Sequence, residues 1–410
     1  MPTPSPVEPS SRMTREEIRA SLTLASIFAL RMLGMFLILP VFAVHAKSLP
    51  GGDSTTLVGL AMGIYGLTQS FGQIPFGMAS DKYGRKPVIV IGLLLFALGS
   101  FIAAASHTLA WVIVGRAVQG AGAISAAVTA FIADATRDEH RTKAMAMVGG
   151  SIGLTFAVSM VASPVMYRLI GMAGIFALTG VLSCIAIFVV LYIVPPAPQK
   201  IHAEKVSFTE VLMDRELGRL NYGVFALHVA QMSMFVVVPS ALVQYVGLPV
   251  ASHWKLYLPI MVVSVALMLP PVFVGEKRGK MKPVFLGAIA LLALVQLGLW
   301  AFMSSPSTTP AWVLIGLLLA FFVAFNILEA TQPSLVSRMA PAAAKGSALG
   351  VYNTLQALAL FCGGALGGWL QQHIGPASVF VAGAALTIVW LIIAAKMKSL
   401  PRRGAATASA

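Results

Sequence analysis

Unbroken apolar stretches of about twenty residues or more recur along this chain from about residue 21 to about residue 395. Each can cross a bilayer as a helix, which takes ~20 residues. A helix satisfies its own backbone hydrogen bonds in lipid, so helices are the structure these stretches dictate. The stretches do not alternate polar with apolar residues, which argues against an outer-membrane barrel. Composition agrees: 58% of the 410 residues are hydrophobic and 10% are charged, against roughly 25% charged in a soluble domain.

Twelve spans are expected, at 21–44, 55–80, 87–107, 109–134, 143–168, 171–194, 219–246, 252–275, 283–303, 311–337, 346–371 and 375–396. The net charge of +14 could point to nucleic acid, but its distribution points to topology. With the N-terminus in the cytoplasm, 23 of the 28 Lys and Arg fall in cytoplasmic segments. Lys47, Arg168 and Lys255 fall outside, and Arg31 and Arg116 fall inside helices. This is a positive-inside pattern with both ends cytoplasmic. The expected location is a bacterial cytoplasmic (inner) membrane, crossed many times, with the bilayer and not nucleic acid as the partner. The first apolar stretch is too long for a signal-peptide core and reads as a retained helix. Cys184 and Cys362 lie singly in apolar helices, so neither a disulfide framework nor a metal site is expected.

The longest loop divides the chain six plus six. The expected units are a segment 1–20, a bundle 21–194, a cytoplasmic linker 195–218, a bundle 219–396 and a tail 397–410. The linker begins with Pro195, Pro196 and Pro198 and carries an expected surface helix near Phe208–Arg219. A faint repeat supports the division. Pro75 precedes Asp81-Lys82-Tyr83-Gly84-Arg85 as Pro270 precedes Glu276-Lys277-Arg278-Gly279-Lys280, an offset of 195 residues. Duplicated six-helix halves are a transporter architecture.

Residues 77–86 read Gly77-Met78-Ala79-Ser80-Asp81-Lys82-Tyr83-Gly84-Arg85-Lys86. They resemble the G-x-x-x-D-R/K-x-G-R-R/K signature between helices two and three of the major facilitator superfamily. Arg116-Ala117-Val118-Gln119-Gly120 resembles the helix-four motif of its drug:proton antiporter branch. Arg31-Met32-Leu33-Gly34, Ile64-Tyr65-Gly66-Leu67, Arg141-Thr142-Lys143-Ala144 and Phe322-Val323-Ala324-Phe325-Asn326 are similar to the YajR-type transporters. The helix-five antiporter motif is met by Gly150 and Pro164, but Ser159 and Ser163 replace glycines, and Tyr167-Arg168 replace its final pair. Many YajR-type proteins also carry a C-terminal ferredoxin-like domain. This chain ends about 14 residues after its last expected helix, so regulation through that domain is expected to be absent.

The resemblance implies an all-α fold of two pseudo-symmetric six-helix bundles. It implies a conformational latch of Gly77, Asp81, Gly84, Arg85, Lys86 and Asp134. Arg85 would pair with Asp134, and Asp81 would face the start of helix eleven near Gly346-Ser347. A helix N-terminus attracts a carboxylate, so that contact would close the halves on the cytoplasmic side.

Only Arg31, Arg116, His228 and Glu329 are strongly polar and ionisable well inside the spans. They fall on helices one, four, seven and ten, which line the central cavity in the major facilitator plan. Charges in the membrane usually face a cavity or a partner. Asn326 lies three residues before Glu329, on the same helical face, and Gln119 lies near Arg116. These six are the candidates for a proton and substrate cavity. Glu329 reads as a proton or substrate site, or as a structural carboxylate paired to an arginine or to backbone; Arg31 reads as an anion ligand or as a carboxylate's partner. Gln69, Gln73, Gln231 and Gln356 can donate into the cavity or bridge helices.

No Walker loop, metal-ligand spacing or nucleophile elbow is present in the sequence, so neither an enzyme nor a cofactor is expected. The leading reading is a monomeric secondary transporter working by alternating access, coupling export of a small, partly apolar molecule to proton entry. A uniporter or proton symporter for an organic anion is the alternative. A non-transporting sensor or scaffold stands behind both, for want of a sizeable soluble output domain.

Overall fold

In the computed structural model, residues 13–195, 213–306, 308–341 and 345–398 are described. Most of the linker 195–218, most of the tail, and residues 208–212 of the expected surface helix lie outside them. The described residues are almost entirely helical, with no strand.

The first crossing is α1 (Arg15–Phe36) followed by α2 (Leu39–His45). Thr14 caps α1 in a capping box: its hydroxyl accepts from Glu17 N at 3.1 Å, and the Glu17 carboxylate accepts from Thr14 N at 2.8 Å. Pro40 divides α1 from α2, because it lacks an N–H and its ring clashes with the carbonyl four residues back. Next come α3 (Thr55–Tyr83) and α4 (Arg85–Ala104). Between them stands Gly84 at φ +94°, a conformation that a glycine adopts without strain. The fourth crossing is α5 (Leu109–Ala121) and α6 (Ser125–Ala135), interrupted at Gly122.

The expected fifth and sixth spans are one helical run, α7 (Asp138–Tyr192), turned at Gly171 where φ is 65° and ψ is −177°. Six helices follow: α8 (Arg215–Tyr245), α9 (Trp254–Lys277), α10 (Met281–Ser304), α11 (Ala311–Met339), α12 (Lys345–His373) and α13 (Pro376–Ala395). Residues 215–219, expected in a surface helix, are instead the first turn of α8. Asp214 caps that turn, accepting from Glu216 N and Leu217 N.

Ten helical segments are long and apolar enough to cross a membrane, and the bend at Gly171 makes two crossings of one of them. The twelfth is α3, 29 residues long but too polar to qualify by composition. Large apolar side chains such as Phe71, Leu154, Phe188 and Trp312 project outward, as a lipid-facing surface requires. By contrast, 94% of the most apolar window of α8 is enclosed by protein.

The two halves meet chiefly where α3 lies along α12, with further contacts of α2 on α8 and α7 on α9. The α3–α12 contact uses residues 55–66 of the first and 357–372 of the second. Ser54 Oγ and Thr56 N both donate to Gln372 Oε1 at 2.9 Å, and Thr55 Oγ1 donates to Gly368 O at 3.1 Å. This seal lies at the end of the molecule opposite residues 81–85. A methyl group on Gly149, Gly150 or Gly153 of α7, or on Gly346 or Gly350 of α12, would meet nothing within 4 Å.

Candidate transport cavity

A cavity lies between the halves, at mid-depth. One half contributes Met32, Met35, Phe36, Gln69, Ile152 and Phe156; the other contributes His228, Gln231, Phe325, Asn326, Glu329 and Gln356. The wall is mostly apolar and aromatic. Phe156 stands 5.3 Å from Phe325 and 6.1 Å from Phe322, centroid to centroid, across the boundary between halves.

The polar wall is concentrated in the C-terminal half. Glu329 Oε2 lies 3.4 Å from His228 Nε2. Gln356 Nε2 lies 2.7 Å from the same His228 nitrogen and 3.5 Å from Glu329 Oε1. The other ring nitrogen, Nδ1, is 2.9 Å from Val224 O. Helical spacing produces this cluster: His228 follows Val224 by four residues, and Glu329 follows Asn326 by three. Asn326 donates to Ser264 Oγ at 3.0 Å. Among the described residues the partners of Glu329 are a histidine and an amide; of the alternatives weighed for it, the pairing with an arginine is not found.

Arg31, Arg116 and Gln119 lie elsewhere. They are fully buried among the helices of the N-terminal half and do not line the cavity wall in this conformation. Tyr65 gathers them: the Arg31 guanidinium lies 5.6 Å from its ring centroid and that of Arg116 lies 4.8 Å away. Arg31 donates to Ser125 Oγ at 2.6 Å, but its Nε and Nη2 have no partner among the described residues. Arg116 donates to Gln119 Oε1 at 2.7 Å, and Gln119 Nε2 donates on to Ser100 Oγ at 2.9 Å. Among the described residues neither arginine makes an ion pair. Sequence reasoning missed Tyr65 in this role; its spacing of four from Gln69, on the most polar crossing helix, was the signal available.

At the α3–α4 junction, Arg85 Nε donates to Asp134 Oδ2 at 2.8 Å, and its Nη1 donates to Asp81 Oδ1 at 2.6 Å and to Ser80 Oγ at 2.7 Å. Lys86 donates to Val194 O. Gly84 makes the turn, and a methyl group on Gly77 would lie in ordinary contact with Ala126. Half of the Asp81 side chain is exposed, and among the described residues its ion-pair partner is Arg85, with no bond to Gly346 or Ser347. The second half carries a different ion pair at the corresponding junction. There the acid at the end of α9, Glu276, pairs with the base at the end of α11, Arg338, at 2.6 Å.

The family model of the Major Facilitator Superfamily matches residues 24–363. The chain belongs to the major facilitator superfamily. As a member of that superfamily it is a multi-pass membrane transporter, moving a small molecule across a lipid bilayer, and not an enzyme. It is 43% identical over 395 residues to the inner membrane transport protein YajR of Escherichia coli (strain K12), covering 95% of this chain and 86% of that one. That places it among the YajR-type members. Multidrug resistance protein MdtH of Aeromonas hydrophila subsp. hydrophila is more distant, 27% identical over 83% of this chain and 85% of that one. The fold is similar to that of a bacterial homolog of the human lysosomal transporter Spinster, solved in an inward-facing and occupied conformation. The TM-score is 0.74 at 11% identity, covering 93% of this chain and 97% of the other.

Proposed function

We propose that this transporter exports a small, partly apolar molecule in exchange for protons. The observation that carries the reading is the His228–Glu329–Gln356 cluster, which faces a cavity otherwise walled by methionines and phenylalanines. A carboxylate beside an imidazole offers a proton a place at mid-membrane, where ionisable groups are costly unless they have a function or a partner. The apolar wall suits the body of a hydrophobic substrate, and methionine adapts to varied shapes. Its relatives, an inner membrane transport protein and a multidrug resistance protein, are in keeping with export from a bacterial cytoplasm.

The moving bodies are residues 21–194 and 219–396 of a monomer, with both termini and the 81–85 loop on the cytoplasmic side. Asp81, half exposed and one turn from Arg85, would swing to the start of α12 when the halves close there. The Asp134–Arg85 pair would hold it in place.

Proteoliposomes with an imposed pH gradient, screened over a panel of amphipathic compounds, test this reading. Substrate-dependent proton flux is expected. Glu329→Gln should keep counterflow and lose gradient-driven transport. Full gradient-driven transport in that variant would remove Glu329 from the proton path.

The organic-anion reading is favoured by one observation. Arg31 and Arg116 are two buried cations for which the described residues supply no acid. Uptake of a carboxylate lost in Arg31→Gln and kept in Glu329→Gln would establish that reading instead.

A further inference from the structure

The break between α5 and α6 leaves the start of an 11-residue helix inside the N-terminal half, with Ser125 as its first residue and buried. A helix start carries about half a positive charge, and its first N–H groups have no partner within the helix. Arg31 reaches this same place, donating from Nη1 to Ser125 Oγ at 2.6 Å. Its side chain is fully enclosed, and its Nε and Nη2 donors have no partner among the described residues. Tyr65 Oη lies near Arg31 without completing a bond to it. Gln73 reaches the next residue of the helix. Its Oε1 accepts from Ala126 N at 3.2 Å, and its Nε2 is likewise without a partner.

The positive charge gathered here has nothing negative beside it among the described residues. Arginine keeps its proton in proteins, so Arg31 cannot shed its charge. A second guanidinium, Arg116, shares the Tyr65 ring, and the two cations lie within about 10 Å of each other, in an interior that screens charge far less than salt water does. The next acid along α6, Asp134, is bonded to Arg85 and stands nine residues on, about 13 Å at 1.5 Å per residue. The Tyr65 ring and the Ser125 hydroxyl offset part of the cost, but a buried charge calls for an opposite one.

We infer that the N-terminal half binds a small inorganic monovalent anion, of the size of chloride, between Arg31 and the start of α6. Arg31 Nε and Nη2 and the Gln73 amide are its donors, and the partial charge of the helix start adds to their pull. The site lies behind the wall of the transport cavity. Met32 and Met35 of α1 and Gln69 of α3 line that wall, whereas Arg31 and Gln73 do not. A ligand so enclosed is an ion and not the cavity's substrate. Gln69 Oε1 is a nearby acceptor on α3 without a partner, and its amide can turn to present nitrogen instead. The bound ion lets two arginines share the interior of one half without an acid, and this holds whatever the substrate or the path of the proton.

The test uses the purified full chain in detergent, with chloride exchanged for gluconate at constant ionic strength. The parent's melting temperature should rise by several degrees as chloride is restored and then level off, because a ligand held only by the folded form stabilises it by mass action. Bromide should act alike. Arg31→Gln removes the charge that the ion answers and should melt at one temperature in both salts. Ser125→Asp sets a carboxylate where Arg31 already reaches, at a helix start that favours it. In gluconate it should match the parent in chloride, and added chloride should not raise it further. A folded Arg31→Gln that keeps the parent's response overturns the inference, as does a parent that melts alike in chloride and gluconate. A rise with acetate and none with chloride or bromide also overturns it, and assigns Arg31 to a carboxylate ligand. Parent crystals grown in bromide give a measure that needs no variant: an anomalous peak beside the Arg31 guanidinium is expected, and its absence overturns the site.

Discussion

Gly59 of α3 lies so close to Gly364 of α12 that a methyl group on the first would fall 2.0 Å from the carbonyl oxygen of the second. Main chain meets main chain there, with no side chain able to step aside. Gly59→Ala should therefore force the seal apart and favour the form open at that end. With Ile152→Cys as a reporter in the cavity, a membrane-impermeant maleimide added from the seal side should react several-fold faster than in the parent. Unchanged labelling would show that the helices separate elsewhere.

The Arg85 cluster is asymmetric, and its variants should differ accordingly. Arg85→Ala leaves Asp134, a largely enclosed carboxylate, without its cation, and should cost about 1–3 kcal/mol. Asp81→Asn touches a half-exposed side chain whose removal leaves Arg85 bonded to Asp134 and Ser80. Melting temperatures should fall by several degrees in the first and little in the second.

Glu17 precedes the apolar part of α1, and its carboxylate is bonded to Arg137 across 120 residues of chain. The Arg137 side chain is the main influence holding its pKa down, to about 2 from the usual 4.5. A carboxylate whose pKa is lowered by folding contributes stability above its unfolded pKa and loses it as the pH falls toward the folded value. The melting-temperature gap between the parent and Glu17→Gln should be constant from neutral pH down to about 5 and shrink below it. Arg137 is partly exposed, so solvent screening keeps the gap near 1 kcal/mol. A gap that widens on acidification would reverse the assignment.

Tyr65 holds two guanidinium groups over one ring. Desolvated contacts of this kind are worth about 2 kcal/mol each, so Tyr65→Leu should lower the melting temperature sharply. Tyr65→Phe keeps the ring and should retain most of the stability. Equal losses in both variants would assign the effect to the hydroxyl.

Much of this was legible in the residues. Eleven crossings follow from length and apolarity and α3 from its length alone, and the Arg85–Asp134 pair followed from the signature it resembles. The sequence also placed Glu329 and His228 on inward-facing helices, and they do share a wall. It placed Arg31, Arg116 and Gln119 there too, and they are packed inside the N-terminal half. Which helices line a cavity is a matter of order along the chain, but which face each turns inward is decided by tertiary packing. Gln356 and Tyr65 were hidden for the same reason: amides and aromatic rings are ordinary on membrane helices, and only their neighbours give them a role. The four-residue spacings Gly59–Gly63 and Gly364–Gly368 are visible in the chain, but nothing local says that one pair meets the other.

Helix α3 carries Thr68, Gln69, Ser70 and Gln73 in its middle and is less apolar than the other crossings, whereas the following helix, α4, is strongly apolar. During biosynthesis such a segment has little tendency of its own to leave the translocon for lipid. Insertion as a hairpin with its apolar neighbour, across the tight turn at Gly84, is therefore expected. The polar residues that later face the cavity and pack within the first half thus make the insertion of α3 depend on α4. Truncation between the two helices is expected to lower the fraction of α3 that inserts.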